Sequence, residues 1–96
     1  MMQISNELKL FLDKNIDKKI VFTNGCFDIV HRGHLEYLIQ AKNLGEILII
    51  GLNSDLSIKK IKGETRPIIN QNDRAFLLKQ LRFVDFIEIF ERICRG

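Results

Sequence analysis

The chain has 96 residues, 46% of them apolar and 28% charged, a composition that fits a folded globular protein and excludes a disordered one. Fifteen Lys and Arg against 12 Asp and Glu leave a net charge of +3, too weak an excess over a whole domain for a nucleic-acid-binding face. Cys26 and Cys94 show no CxxC or Cys/His spacing, so neither a zinc site nor a disulfide framework is expected, and with no window of about 18 apolar residues and no signal peptide the expected setting is cytoplasmic and reducing, away from membranes.

In chain order, Ile4, Leu8, Phe11 and Leu12 mark one face of a first helix capped by Ser5 or Asn6, and polar residues 15–18 end it. KIVFT (19–23) is β-rich and almost wholly apolar, as a strand covered on both faces would be, and it stops at the loop signal Asn24-Gly25. A helix starting near His34 follows, with Leu35, Leu38 and Ile39 at helical spacing and Gly45 placed for a left-handed C-terminal cap. ILIIGLN (47–53) is a second buried strand. Residues 54–61 form a short helix that Asp55 caps, and KGETRP is a surface loop. Asn72 or Asp73 caps a helix through Leu77, Leu78 and Leu81, and VDFIEIF (84–90) is a third strand. Strands alternating with helices predict an α/β fold, a Rossmann-like parallel sheet flanked by helices with about three strands. No repeat or linker divides the chain, so a single domain over 1–96 is expected.

Both histidines stand in NGCFDIVHRGHLEYL (24–38), as H-x-G-H between the first strand and the next helix. In a parallel sheet, ligands bind beyond the carboxyl ends of the strands. Gly33 allows close backbone approach at a helix start, where free N–H groups and the positive dipole end favour phosphate, and His31 and His34 can donate to its oxygens. One such histidine would read as a capping or surface residue. Two of them in this pattern point to a phosphate site.

TNGCFDIVHRGHLEYLIQAKNLG, GLNSD, IKGETRPI and DRAFLLKQLRFVD together resemble the cytidylyltransferase-like nucleotidyltransferases, over roughly residues 19–90. Within them, TNGCFD and KGxxRPI are most similar to the adenylyltransferase domain of ADP-heptose biosynthesis, and Cys26 stands where glycerol-phosphate cytidylyltransferases usually carry threonine. The resemblance implies transfer of a nucleotidyl group from ATP to a sugar phosphate of the D-glycero-β-D-manno-heptose 1-phosphate type, giving ADP-heptose and pyrophosphate. It implies nucleotide binding at Cys26, Phe27, His31, Gly33, His34 and Lys62, with His31, His34 and Lys62 catalytic and Lys60 and Arg82 facing phosphate. Mg²⁺ is expected on the triphosphate, with no metal site of protein ligands. A non-catalytic nucleotide-binding or assembly fragment is the alternative, and a cytidylyltransferase or FAD synthetase of the same superfamily is a further one.

Plainer roles stand beside these. Cys26 reads as a small buried filler, Asp28 as a brace of the turn or a ligand contact, Arg74 as the partner of a carboxylate at a helix start, Tyr37 as a packing residue and Lys59, Lys60 and Lys62 as solvated charges. The family pattern continues past the third strand with two more strands and a late Ser/Thr-rich helix start, whereas FERICRG (90–96) fits it poorly, so an incomplete, N-terminal part of the family fold is expected. The first strand then becomes a sheet edge, and homo-oligomerisation is expected from it.

Overall fold

A computed structural model describes residues 4–91. Its elements alternate as expected: α1 (Asn6–Lys14), β1 (Ile20–Gly25), α2 (Arg32–Asn43), β2 (Ile47–Asn53), α3 (Asp55–Lys62), α4 (Gln71–Lys79) and β3 (Phe86–Phe90). The three strands form one sheet in the order β1-β2-β3, with both pairings parallel. This is the α/β parallel architecture that the alternation predicts. No helix among the described residues is long and apolar enough to cross a membrane.

β2 is central and buried along its whole length. Its period-2 alternation divides the core in two. Leu48, Ile50 and Leu52 face α2 and α4, through Leu38, Ala41, Ala75 and Leu78. Ile47 and Ile49 face α1, through Leu8, with Phe11, Leu12 and Phe86 packed around them. Ser5 caps α1 by accepting from the Leu8 N–H, and its own N–H and hydroxyl both donate to the Glu88 carboxylate at 2.7 Å, fastening the start of α1 to β3.

Five local expectations are corrected. β1 runs on through Asn24 and Gly25, because both continue the parallel register onto Gly51 and Leu52. It is not covered on both faces: it lies at the end of the described sheet, and Phe22 is 45% exposed. Gly45 is not a left-handed cap, since Leu44 closes α2 in the right-handed helical region and Gly63 is the positive-φ glycine among the described residues. A Cβ at Gly45 would lie 2.8 Å from the Lys19 carbonyl oxygen, so glycine is needed there for close approach. The cap of α4 is Asn70, which accepts from the Asp73 N–H at 2.9 Å, and the cap of α3 is Ser54 rather than Asp55. In both cases a side chain three residues ahead of the N–H that donates to it outcompetes one already inside the first turn.

Asp55 is thereby left free to meet Arg74. That guanidinium is fully buried, donating to the carbonyls of Ile69 (2.9 Å), Cys26 (2.6 Å) and Asn53 (2.8 Å) and to the Asp55 carboxylate (2.8 Å). Arg74→Met is expected to lower folding stability by about 3–5 kcal/mol, because it leaves a carboxylate and buried carbonyls without their donor. Urea denaturation checks this, and an unchanged midpoint would show the four bonds to be dispensable.

Candidate functional site

The carboxyl ends of β1 and β2 turn into loops held on three sides. Phe27, the residue after Cys26, is buried and sits at φ +48°, a left-handed conformation a bulky side chain occupies only under constraint. On one side its strand-end carbonyl neighbour Cys26 is gripped by Arg74. On the other, the Asp28 carboxylate accepts from the N–H groups of Ile68 (2.9 Å) and Ile69 (3.1 Å) and pairs with Arg66 at 3.3 Å. Asp28 is therefore a brace, and it pins the 66–69 segment of the KGETRP loop against the end of β1. Burial alone would raise its pKa, but the Ile69 and Ile68 N–H groups and Arg66 together hold it below the usual 3.8.

α2 then begins at Arg32, two residues ahead of His34, with His31 as its cap. Nδ1 of His31 accepts from the Gly33 N–H at 3.0 Å, and Nδ1 of His34 accepts from the His31 N–H at 3.3 Å. The H-x-G-H spacing is thus a reciprocal cap in which each imidazole takes the place usually held by Ser or Glu. Gly33 is required by proximity: a Cβ there would lie 2.9 Å from Cε1 of His31. The two rings stack with centroids 4.1 Å apart, and His34 also contacts the Phe27 ring at 5.3 Å.

Burial, followed by the charges of His31 and Lys62, lowers the His34 pKa from its ordinary 6.5. Lys62, the last residue of α3, acts on His34. Lys60, two positions earlier, is turned roughly 200° away around the helix and is exposed. Arg82 stands apart from this group, in the turn that leads into the amino end of β3, at the opposite end of the sheet from the histidines. Cys26 is half-buried, with its thiol 3.8 Å from Oδ1 of Asn53, and Cys94 lies outside the described residues. Tyr37 is 53% exposed rather than packed, its hydroxyl bonded to Thr23 at 2.8 Å. Arg66 and the Asp28 clamp were not singled out as a pair from sequence. Their signal is an acid after the first strand answered by Arg-Pro-Ile 38 to 41 residues later.

The end of the sheet thus gathers two imidazoles, a helix start and a lysine charge, groups that can hold an anion, on a Rossmann-like frame. The family model described as cytidylyltransferase-like matches residues 22–94. The chain belongs to the cytidylyltransferase-like family. It is 60% identical over 87 residues to the bifunctional protein HldE of Campylobacter jejuni subsp. doylei, covering 91% of this chain and 19% of that protein. It is 61% identical over 77 residues to HldE of Aliarcobacter butzleri, covering 80% of this chain and 16% of that protein. The chain therefore spans under a fifth of the length of these cytidylyltransferase-like relatives. The crystal structure of the lipopolysaccharide core biosynthesis protein from Thermoplasma volcanium superposes with a TM-score of 0.69 at 34% identity, covering 77% of this chain and 59% of that one.

The lowered His34 and Asp28 values make a stability prediction. Folded His34 binds a proton less readily than unfolded His34, so its contribution is complete above about pH 6.5 and is lost as pH falls through the folded value. Asp28 has the same sign, its contribution being present above about 3.8 and lost below. Thermal melts followed by circular dichroism should show two successive losses on acidification. His34→Asn, which keeps an acceptor but does not titrate, should abolish the upper one, and persistence of that step in the variant would assign it to another group.

Proposed function

We propose that this chain carries the phosphate-binding half of a nucleotidyltransferase site that moves an adenylyl group from ATP to a sugar phosphate of the heptose 1-phosphate class, releasing pyrophosphate. The observation that carries the reading is the reciprocal histidine cap at the start of α2, with Lys62 acting on His34. The resemblance of TNGCFD and KGxxRPI to the adenylyltransferase domain of ADP-heptose biosynthesis supports the adenylyl donor and the sugar phosphate acceptor, beside about 60% identity to proteins named bifunctional protein HldE. The acceptor oxygen attacks the α-phosphorus and pyrophosphate leaves in line, so no protein nucleophile is required. His31 and His34 hold the phosphates by hydrogen bonds, Lys62 offsets the charge that builds on the leaving pyrophosphate, and the α2 N-terminus adds its dipole. Cys26, Phe27 and Gly33 line the nucleotide through the backbone. Lys60 and Arg82 remain proposed phosphate contacts only from the family resemblance, since neither stands with the histidines.

Magnesium fits this chain as a companion of the triphosphate. Among the described residues no three or more His, Cys, Asp or Glu side chains gather to hold an ion, and Asp28 and Asp55 are engaged by Arg66 and Arg74. When bound on the nucleotide, the ion would neutralise phosphate charge. We also read the outer edge of β1, which pairs only with β2 among the described residues, as favouring association, most simply with a second copy.

The test is pyrophosphate release from ATP with heptose 1-phosphate. His31→Ala and His34→Ala should each slow it about 10²- to 10³-fold with the circular dichroism spectrum retained. Turnover retained in both variants would remove the catalytic role. Lys62→Ala should raise the KM for ATP, more at low ionic strength because the effect is electrostatic. An unchanged KM would exclude it.

A further inference from the structure

The capping bonds decide which nitrogen of each imidazole carries the proton. A backbone N–H can only donate, so Nδ1 of His31, 3.0 Å from the Gly33 nitrogen, and Nδ1 of His34, 3.3 Å from the His31 nitrogen, are both acceptors. A neutral imidazole has one acceptor and one N–H, which leaves the N–H of each ring on Nε2. We propose that the reciprocal cap locks His31 and His34 together as neutral Nε2–H tautomers, so that the pair meets a phosphate ligand with two neutral, pre-aimed donors rather than as imidazolium ions. The identity of that ligand rests on the nucleotidyl-transfer reading. The tautomer does not.

The surroundings agree. A second proton on either ring would have to go on Nδ1, where it would face a backbone N–H and break the cap. The rings stack at 4.1 Å and 28°, so charging both would set two cations against each other. Of the charged groups nearby, Lys62 faces His34 from α3 and is itself a cation. Arg32 and Glu36 on α2 pair with each other at 2.7 Å. Asp28, in the preceding loop, is held by Ile68, Ile69 and Arg66. Among the described residues no ion pair joins a carboxylate to either ring, so no carboxylate favours the charged form of either.

One atom of each ring thus serves the fold and the other serves the ligand, and substitution can separate them. The Asn side-chain oxygen falls near where Nδ1 of His lies, and the Gln amide nitrogen near where Nε2 lies. His31→Asn should keep the wild-type melting temperature, since Asn is a strong cap, and weaken binding of inorganic triphosphate about tenfold or more through loss of one hydrogen bond to a charged ligand. His31→Gln should lose about 4–8 °C of Tm with the cap and keep more of the triphosphate affinity than His31→Asn. The converse order of the two variants would overturn the division of labour.

The tautomer is read directly, on the wild-type chain, by long-range ¹H–¹⁵N NMR of the imidazoles at about pH 7.5, first without ligand and then with inorganic triphosphate. Both rings should give a protonated Nε2 and an unprotonated Nδ1 in each state. An Nδ1–H form or an imidazolium in either ring would overturn the proposal. Nε2–H tautomers with no response to triphosphate would overturn the anion contact, and with it the functional reading, while leaving the cap-imposed tautomer in place.

Discussion

The buried guanidinium of Arg74 is the constraint on which the end of this sheet depends. Parallel strands finish in loops whose carbonyls have lost their ladder partners, and burying such groups without donors is costly. Arg74 answers the carbonyls at the end of β1 and at the end of β2 from one rigid fork, and a third carbonyl, that of Ile69, from its Nε. Asp55 balances its charge at 2.8 Å, which makes burial of the cation tolerable. Because one planar group spans all of these positions, the spacing between the β1 loop, the β2 end and the segment ahead of α4 is not free to vary. The histidine loop grows out of the strand end that Arg74 holds.

Asp28 repeats the logic one layer out. Its carboxylate closes the N–H groups of Ile68 and Ile69 onto the residue that follows Phe27, so the loop between α3 and α4 is tied to the same place. This brings the end of α3, and with it Lys62, toward the start of α2. Two buried or braced ion pairs, Arg74–Asp55 and Arg66–Asp28, therefore convert a chain of loops into a fixed cradle. The histidines need no further support, because each caps the helix that carries the other. The cap uses only Nδ1 of each ring, and it explains in physical terms why a glycine stands between them: any larger residue would push the His31 ring off its backbone donor.

Much of this was legible along the chain. The strand cores at 20–23, 47–53 and 86–90 follow from apolar, β-branched runs, and α1 and α2 from their periodicity. The phosphate-site reading came from H-x-G-H, because the cap it makes involves residues no more than three apart. The caps of α3 and α4 are equally local, but several polar residues compete for each, and Ser54 and Asn70 win because they stand three residues ahead of the N–H groups they accept from. The expected covering of β1 failed for another reason. An apolar composition shows that a strand is buried somewhere, and Phe22 shows that it does not say on how many sides.

By itself the sequence determined the alternation of elements, the parallel α/β class, the position of the histidine turn and the family it belongs to, since all of these are written in spacings of two to four residues or in contiguous motifs. Only the tertiary structure decided which charges lie toward the histidines. The Lys62 charge acts on His34, Lys60 faces elsewhere on the same helix, and Arg82 is carried to the far end of the sheet. Arg74 finds its partners 19, 21 and 48 residues away, and Asp28 finds its own 38 to 41 away. Contacts at such separations depend on strand order and on how each crossover returns to the sheet, which no local pattern of residues encodes.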